Sequence, residues 1–161
     1  MAAILGLDGA VIADICEKTP GIVSIANDNC PGQIVITGEA AAVEAACEAL
    51  KAAGAKWDVI GMSLYPEDNN WQTATDDCLT NISTLASRYN CKVMVCEIGM
   101  AWDSENAAAM MKKMVEGCKA KPECLGIFYW EPECYGGWND YNKGAFDSNG
   151  KPTATLDAFK N

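Results

Sequence analysis

Aromatic residues divide this chain in two. All thirteen Trp, Tyr and Phe residues lie at or after Trp57, and the first 56 residues hold none. The leading segment is instead rich in Ala, Ile, Val and Gly. A random scatter rarely segregates in this way, so a boundary is expected at Lys56/Trp57, giving segments 1–56 and 57–161. No Pro- or Ser-rich linker marks it, and the two parts read as directly spliced. With 161 residues, 50% of them hydrophobic, the chain suits one medium domain or two small ones.

Charge and missing residue types narrow the chemistry. The formal net charge is -10, which repels phosphate backbones and argues against nucleic acid as a partner. No apolar run is long enough for a membrane helix, and no signal peptide is visible, so a cytoplasmic protein is expected. The chain has no histidine, which removes Ser-His-Asp and Cys-His catalysis and any imidazole-dependent zinc site. Carboxylates, Lys, Tyr and Cys remain for acid–base work. Nine cysteines are present without a C-x-x-C pair, so zinc-ribbon and thioredoxin motifs are absent. They read as buried structural thiols, with a disulfide framework as the alternative.

The first segment reads strand, helix, strand, strand, helix. Asp8 is placed to cap the first helix, with Val11, Ile12 and Ile15 on its buried face. Asn29-Cys30-Pro31-Gly32 reads as a turn between two β-branched strands, and Glu39 to Ala53 as a helix stopped by Gly54. The order βαββα lacks one strand of a split-βαβ, ferredoxin-like unit.

The second segment alternates strands and helices. Strands are expected at WDVIGMSLY, KVMVCEIG and CLGIFYWEP, and helices at Thr73–Tyr89, Ser104–Cys118 and Thr153–Lys160. Met110, Met111 and Met114 read as core filler. Three βα units in a row imply a parallel sheet with right-handed crossovers. In the Gly/Asn/Asp-rich stretch 138–150, Asp140, Asp147 and Asn149 offer oxygen atoms, but EF-hand spacing is absent and they read as turn formers.

Two strands end in carboxylates. Glu97 closes KVMVC and Glu131 follows GIFYW. Strand C-terminal ends converge on the active site in βα proteins, and neighbouring strands lie about 4.8 Å apart, so one pocket can hold both. Trp130 offers a flat apolar face suited to stacking on a sugar ring. Ordinary strand-end carboxylates facing solvent are the competing reading.

The ordered stretches DVIGMSLYP, KVMVCEIG, GIFYWEP and KGAFDSNGKPTATLDAF resemble the C-terminal part of family-53 glycoside hydrolases, the endo-β-1,4-galactanases. The resemblance covers residues 57–161. It implies the last three strands of a TIM barrel that cleaves β-galactan with retention. It also implies Glu97 as catalytic nucleophile, with Trp130, Glu131 and Tyr65 on the substrate and a β-galactan oligosaccharide as partner. The family's acid/base residue sits in an Asn-Glu pair, and this chain has none. Weak or absent catalysis is therefore expected, with no cofactor and no metal.

The stretch MAAILGLDGAVIADICEKTPGIVSIANDNCPGQIVITGEAAAVEAACEALKAAGAK resembles the small ferredoxin-like subdomain of malonyl-CoA–acyl carrier protein transacylases. That family's mechanism needs a nucleophile elbow and a His, both missing here. The chain thus reads as a chimera: a split-βαβ segment fused to the last three βα units of a barrel. The expected α/β fold is one mixed six-stranded sheet, order 6-5-4-1-3-2, with helices mainly on one face. Three strands cannot close a barrel, so an apolar sheet face stays uncovered. Self-association through that face, or cover by the loop 131–152, is expected. A non-catalytic folded chimera or interaction module is the main alternative to a hydrolase remnant, and a transacylase fragment is a weaker one.

Overall fold

Asp8 begins the first helix as its position implies. In a computed structural model of the protein, which describes residues 2–55 and 58–160, the Asp8 carboxylate accepts a hydrogen bond from Ala10 N–H at 2.9 Å. The chain forms two compact units, Met1–Ile60 and Gly61–Asn161. The expected junction, Lys56/Trp57, lies outside the described residues.

The first unit runs β1 (Ala2–Leu5), α1 (Gly9–Lys18), β2 (Val23–Cys30), β3 (Gln33–Gly38) and α2 (Ala40–Ala52). Its sheet has the order β1-β3-β2, antiparallel throughout. Ile4, Ile34 and Ile36 from the sheet meet Ile12, Cys16, Val43, Ala46 and Leu50 from the helices in an aliphatic core. Helix α1 buries Ile12 and Cys16, one turn apart, while Val11 is 40% exposed, so the expected stripe is narrower by that residue. The strand before the expected Asn29–Gly32 turn runs on through Cys30, and with two register irregularities in it only Val23 is buried. Gly38, at φ 156°, is tied to its position: a β-carbon there would lie 2.0 Å from the Ile22 carbonyl oxygen. That close passage lets Glu39 N–H donate to Ile22 O at 2.8 Å and start α2.

The second unit holds all of β4 (Val59–Leu64) but its first two residues, followed by α3 (Trp71–Tyr89), β5 (Lys92–Ile98), α4 (Ala107–Lys119) and β6 (Cys124–Tyr129). Its sheet order is β4-β5-β6, and β5 and β6 are parallel. Val93, Val95 and Ile98 fill one side of the central strand, and Met110, Met111, Met114, Cys78 and Ile82 are buried on the helices. The Met cluster is core, as expected. The terminal helix expected over Thr153–Lys160 spans Ala154–Phe159 and is of the 3₁₀ type.

The α/β class holds, but the single six-stranded sheet does not. Among the described residues the strands form two three-stranded sheets. Strand pairing is a long-range choice that local sequence does not encode, which is why a shared strand looked feasible. No described helix is long and apolar enough to cross a membrane.

The expected uncovered face is present. Val59, Leu125, Phe128 and Trp130 are all exposed, Phe128 at 60%. KVMVCEIG is therefore covered on one side only, not on both, with Cys96 exposed. The loop after β6 folds instead over the strand ends. There Tyr129 O–H donates to Gly144 O at 3.0 Å and Trp102 N–H to Asn142 O at 2.9 Å.

Candidate active site

A change of phase in β5 decides which way Glu97 points. Simple alternation from Val93 and Val95 would put Glu97 on the buried side. The pairing Val95↔Ile127 is followed by Ile98↔Tyr129, so three steps on β5 match two on β6. Such an extra residue behaves as a β-bulge. Ile98 thereby takes the buried place, Cys96 is exposed and Glu97 is half-buried. On β4, Tyr65 continues the exposed series Val59, Gly61, Ser63; on β6, Phe128 and Trp130 do the same. Tyr65, Glu97 and Trp130 therefore share the uncovered face.

They also share one end of the sheet. Gly99 N–H donates to Leu64 O at 3.3 Å and Trp130 N–H to Ile98 O at 3.0 Å, which aligns the C-terminal ends of all three strands. Across this edge the Tyr65 hydroxyl donates to Glu97 Oε2 at 2.9 Å. Burial and the bond to Glu97 push the Tyr65 phenol well above its ordinary value, so it remains a donor.

Tyr141 completes the cluster, and sequence reasoning missed it. Its hydroxyl lies near that of Tyr65 and donates to Trp130 O at 3.4 Å. Burial pushes its phenol up to about 12; the Tyr65 hydroxyl works against this, and the charges of Glu131 and Glu97 add to it. Both strand-end carboxylates therefore lie within electrostatic reach of one hydroxyl. Tyr141 sits in a Gly/Asn/Asp loop without periodicity, and its one signal was an aromatic ring following the third strand end.

The remaining expected residue is differently placed. Glu131 is exposed and has a left-handed backbone, φ 45°. Non-glycine residues adopt that conformation uncommonly, and here it bends the chain away from β6. Its carbonyl accepts Cys134 N–H at 3.2 Å.

Loops bind the rim together. Lys143 Nζ pairs with Glu67 Oε1 at 2.7 Å, linking the loop after β6 to the loop after β4. Asp68 Oδ1 accepts from Ser104 Oγ, and from Asn106 Nδ2 at 3.0 Å, linking β4's loop to β5's. These two bonds hold the Asp68 carboxyl below its ordinary value. Asp147 Oδ1 accepts Asn149 N–H at 2.8 Å and Lys151 N–H at 2.9 Å, which makes it a turn former.

A carboxylate held by a phenol thus lies at the C-terminal edge of the β4-β5-β6 sheet, with the exposed Trp130 at the end of the neighbouring strand. The family model for glycosyl hydrolase family 53 matches residues 33–119. The chain belongs to glycosyl hydrolase family 53. That match contains Tyr65 and Glu97 and stops before Trp130 and Glu131. It begins upstream of the expected 57–161 segment, inside the stretch read as transacylase-like.

The second resemblance recurs as well. A malonyl CoA-acyl carrier protein transacylase of Escherichia coli (strain K12) is 57% identical over 58 residues, 35% of this chain and 19% of that protein. Its counterpart in Bacillus subtilis (strain 168) is 49% identical over 59 residues, again 35% of this chain and 19% of that protein. The family-53 chain thus spans about a fifth of the length of the curated relatives it matches. Among solved structures, a GH128 (subgroup II) endo-beta-1,3-glucanase from Sorangium cellulosum is similar at TM-score 0.47 and 14% identity, over 87% of this chain and 52% of that one.

Proposed function

We propose that the second unit is a galactanase-like glycoside hydrolase site reduced to its nucleophile half. Glu97 is the nucleophile, Tyr65 orients it, and Trp130 is the platform for a galactose ring, with Glu131 at the rim. The observation that carries this reading is the 2.9 Å bond from Tyr65 to Glu97 Oε2 on the same face as Trp130. The phenol fixes one carboxylate oxygen and leaves Oε1 to approach an anomeric carbon.

Retaining cleavage needs a second carboxyl about 5–5.5 Å away to protonate the leaving group. The exposed, turned-out Glu131 is poorly placed for that, and no Asn-Glu pair exists in the chain. Loss of general acid assistance lowers the rate by about 10²–10⁴. Hydrolysis of β-1,4-galactan is accordingly weak or absent, while oligosaccharide binding persists on Trp130.

A substrate that needs no acid tests the assignment. Dinitrophenyl β-galactobioside loses its phenolate without protonation, so attack by Glu97 Oε1 on C1 releases dinitrophenolate and leaves a glycosyl ester. One equivalent of dinitrophenolate and a labelled Glu97 peptide are the expected result, both lost in Glu97→Gln. Equal release by both proteins refutes the nucleophile. A non-catalytic folded chimera is the second reading, favoured by the missing acid/base pair; galactan binding without any labelling of Glu97 would support it.

A further inference from the structure

Charged and apolar groups on the open face of the second sheet are set out about one line. On β5 the outward residues are Lys92, Met94 and Cys96, and after the bulge Glu97, so a cation stands at one end of the face and a carboxylate at the other. Lys92 Nζ donates to Pro122 O at 3.0 Å, which leans it toward the start of β6. Glu131 follows the far end of β6. Between these ends Leu125 and Phe128 are 50% and 60% exposed. The midpoint of Lys92 and Glu97 falls between Met94 and Val95, and that of Leu125 and Phe128 between Gly126 and Ile127. Val95 and Ile127 are register partners, so both midpoints lie on one line across the strands.

A two-fold axis along that line lays two such faces together with their strands antiparallel. We propose that a second copy of this chain covers the face in this way, with Lys92 of each copy over Glu97 and Glu131 of the other, and Phe128 of each over Leu125 of the other. Every contact then occurs twice. The formal net charge of -10 makes copies repel wherever acidic surfaces meet. This face instead brings a cation onto carboxylates, and it does so only for a partner carrying the same pattern. Area sets the strength. Strands of six or seven residues, with a rise of about 3.3 Å and a spacing of about 4.8 Å, present about 300 Å² in projection. A specific interface buries about 800 Å² per partner, so this pairing is weak and transient. It covers Glu97 and thereby closes the sugar site, a consequence that rests on the function proposed above.

The test uses the full chain over a range of micromolar concentrations. Sedimentation equilibrium is expected to show a dimer that Lys92→Glu weakens about 10-fold, Glu97→Lys weakens likewise, and the two substitutions together largely restore. A double variant no better than either single one, or a wild type that stays monomeric, overturns the proposal. A monomer that takes up a hydrophobic dye gives the face another occupant and overturns it too. Should a variant fail to fold, alkylation of the wild type decides. Cys96 is exposed on this face, and exposed Cys30 on the first unit is the control. With iodoacetamide the Cys96 rate is expected to fall as protein concentration rises while that of Cys30 holds; equal behaviour of the two thiols refutes the pairing. Dinitrophenolate release by the dilute monomer is read separately. Its absence counts against Glu97 as nucleophile, whereas the charge swap and the Cys96 rate judge the pairing.

Discussion

The hydroxyl of Tyr141 lies 2.9 Å from where a β-carbon on Gly99 would be, and the Lys143 carbonyl oxygen lies 2.7 Å from the same point. Gly99 is thus the floor on which the Tyr141–Lys143 segment rests, two residues past Glu97 at the end of β5. Since Lys143 O is backbone, an added methyl group must displace the segment.

Gly99→Ala is expected to lower stability by about 1–3 kcal/mol, the usual range for overpacking a filled site. Denaturant unfolding measures it. The same variant separates Tyr141 from Tyr65, so a wild-type unfolding midpoint would show that the loop yields without resistance.

Alkaline titration reads the tyrosine cluster directly. Tyr65 and Tyr141 both titrate above an unfolded tyrosine, whose pKa is about 10. Their contribution to stability is complete below pH of about 10 and declines as pH rises toward the folded values, near 12 for Tyr141. Phenolate absorbance in the folded protein is expected to lack the late component of Tyr141 in Tyr141→Phe. Identical curves for variant and wild type would remove Tyr141 from the cluster.

Asp68 gives the opposite sign at low pH. Its carboxyl is held below the ordinary value by bonds from Ser104 and Asn106. The stabilisation is present above the unfolded pKa of about 3.9 and is lost as pH falls through the folded value. The Asn106 side-chain amide resonance is expected to move in that window in the wild type and to stay fixed in Asp68→Asn.

The uncovered sheet face predicts association. Leu125 is 50% and Phe128 60% exposed on one strand. Burying such side chains contributes about 1.5–3 kcal/mol each. Sedimentation at micromolar concentration is expected to show a dimer that Phe128→Ser weakens. A clean monomer that binds no hydrophobic dye would show that the face tolerates water.

Much of the site was legible because strand ends are legible. Glu97 and Trp130 each follow an apolar run, and parallel βα units put such ends on one edge. Tyr141 was not, since its place depends on Asn142 O meeting Trp102 N–H across two loops. Val11 looked buried because it neighbours Ile12, yet helix geometry turns it away from the Ile12–Cys16 line. The sheet division was illegible for a different reason: β1 and β4 are both apolar enough to accept either neighbour, and only tertiary pairing chooses.

The extra residue in β5 makes the orientation of Glu97 a matter of counting. Had β5 and β6 paired residue for residue beyond Val95, strict alternation would turn the carboxylate to the side of Val93 and Val95, where an ionised group has no water. Every loop contact could survive that change of register and the open face would still lose its carboxylate. The local pairing of two strands thus sets which groups meet solvent as firmly as residue identity does.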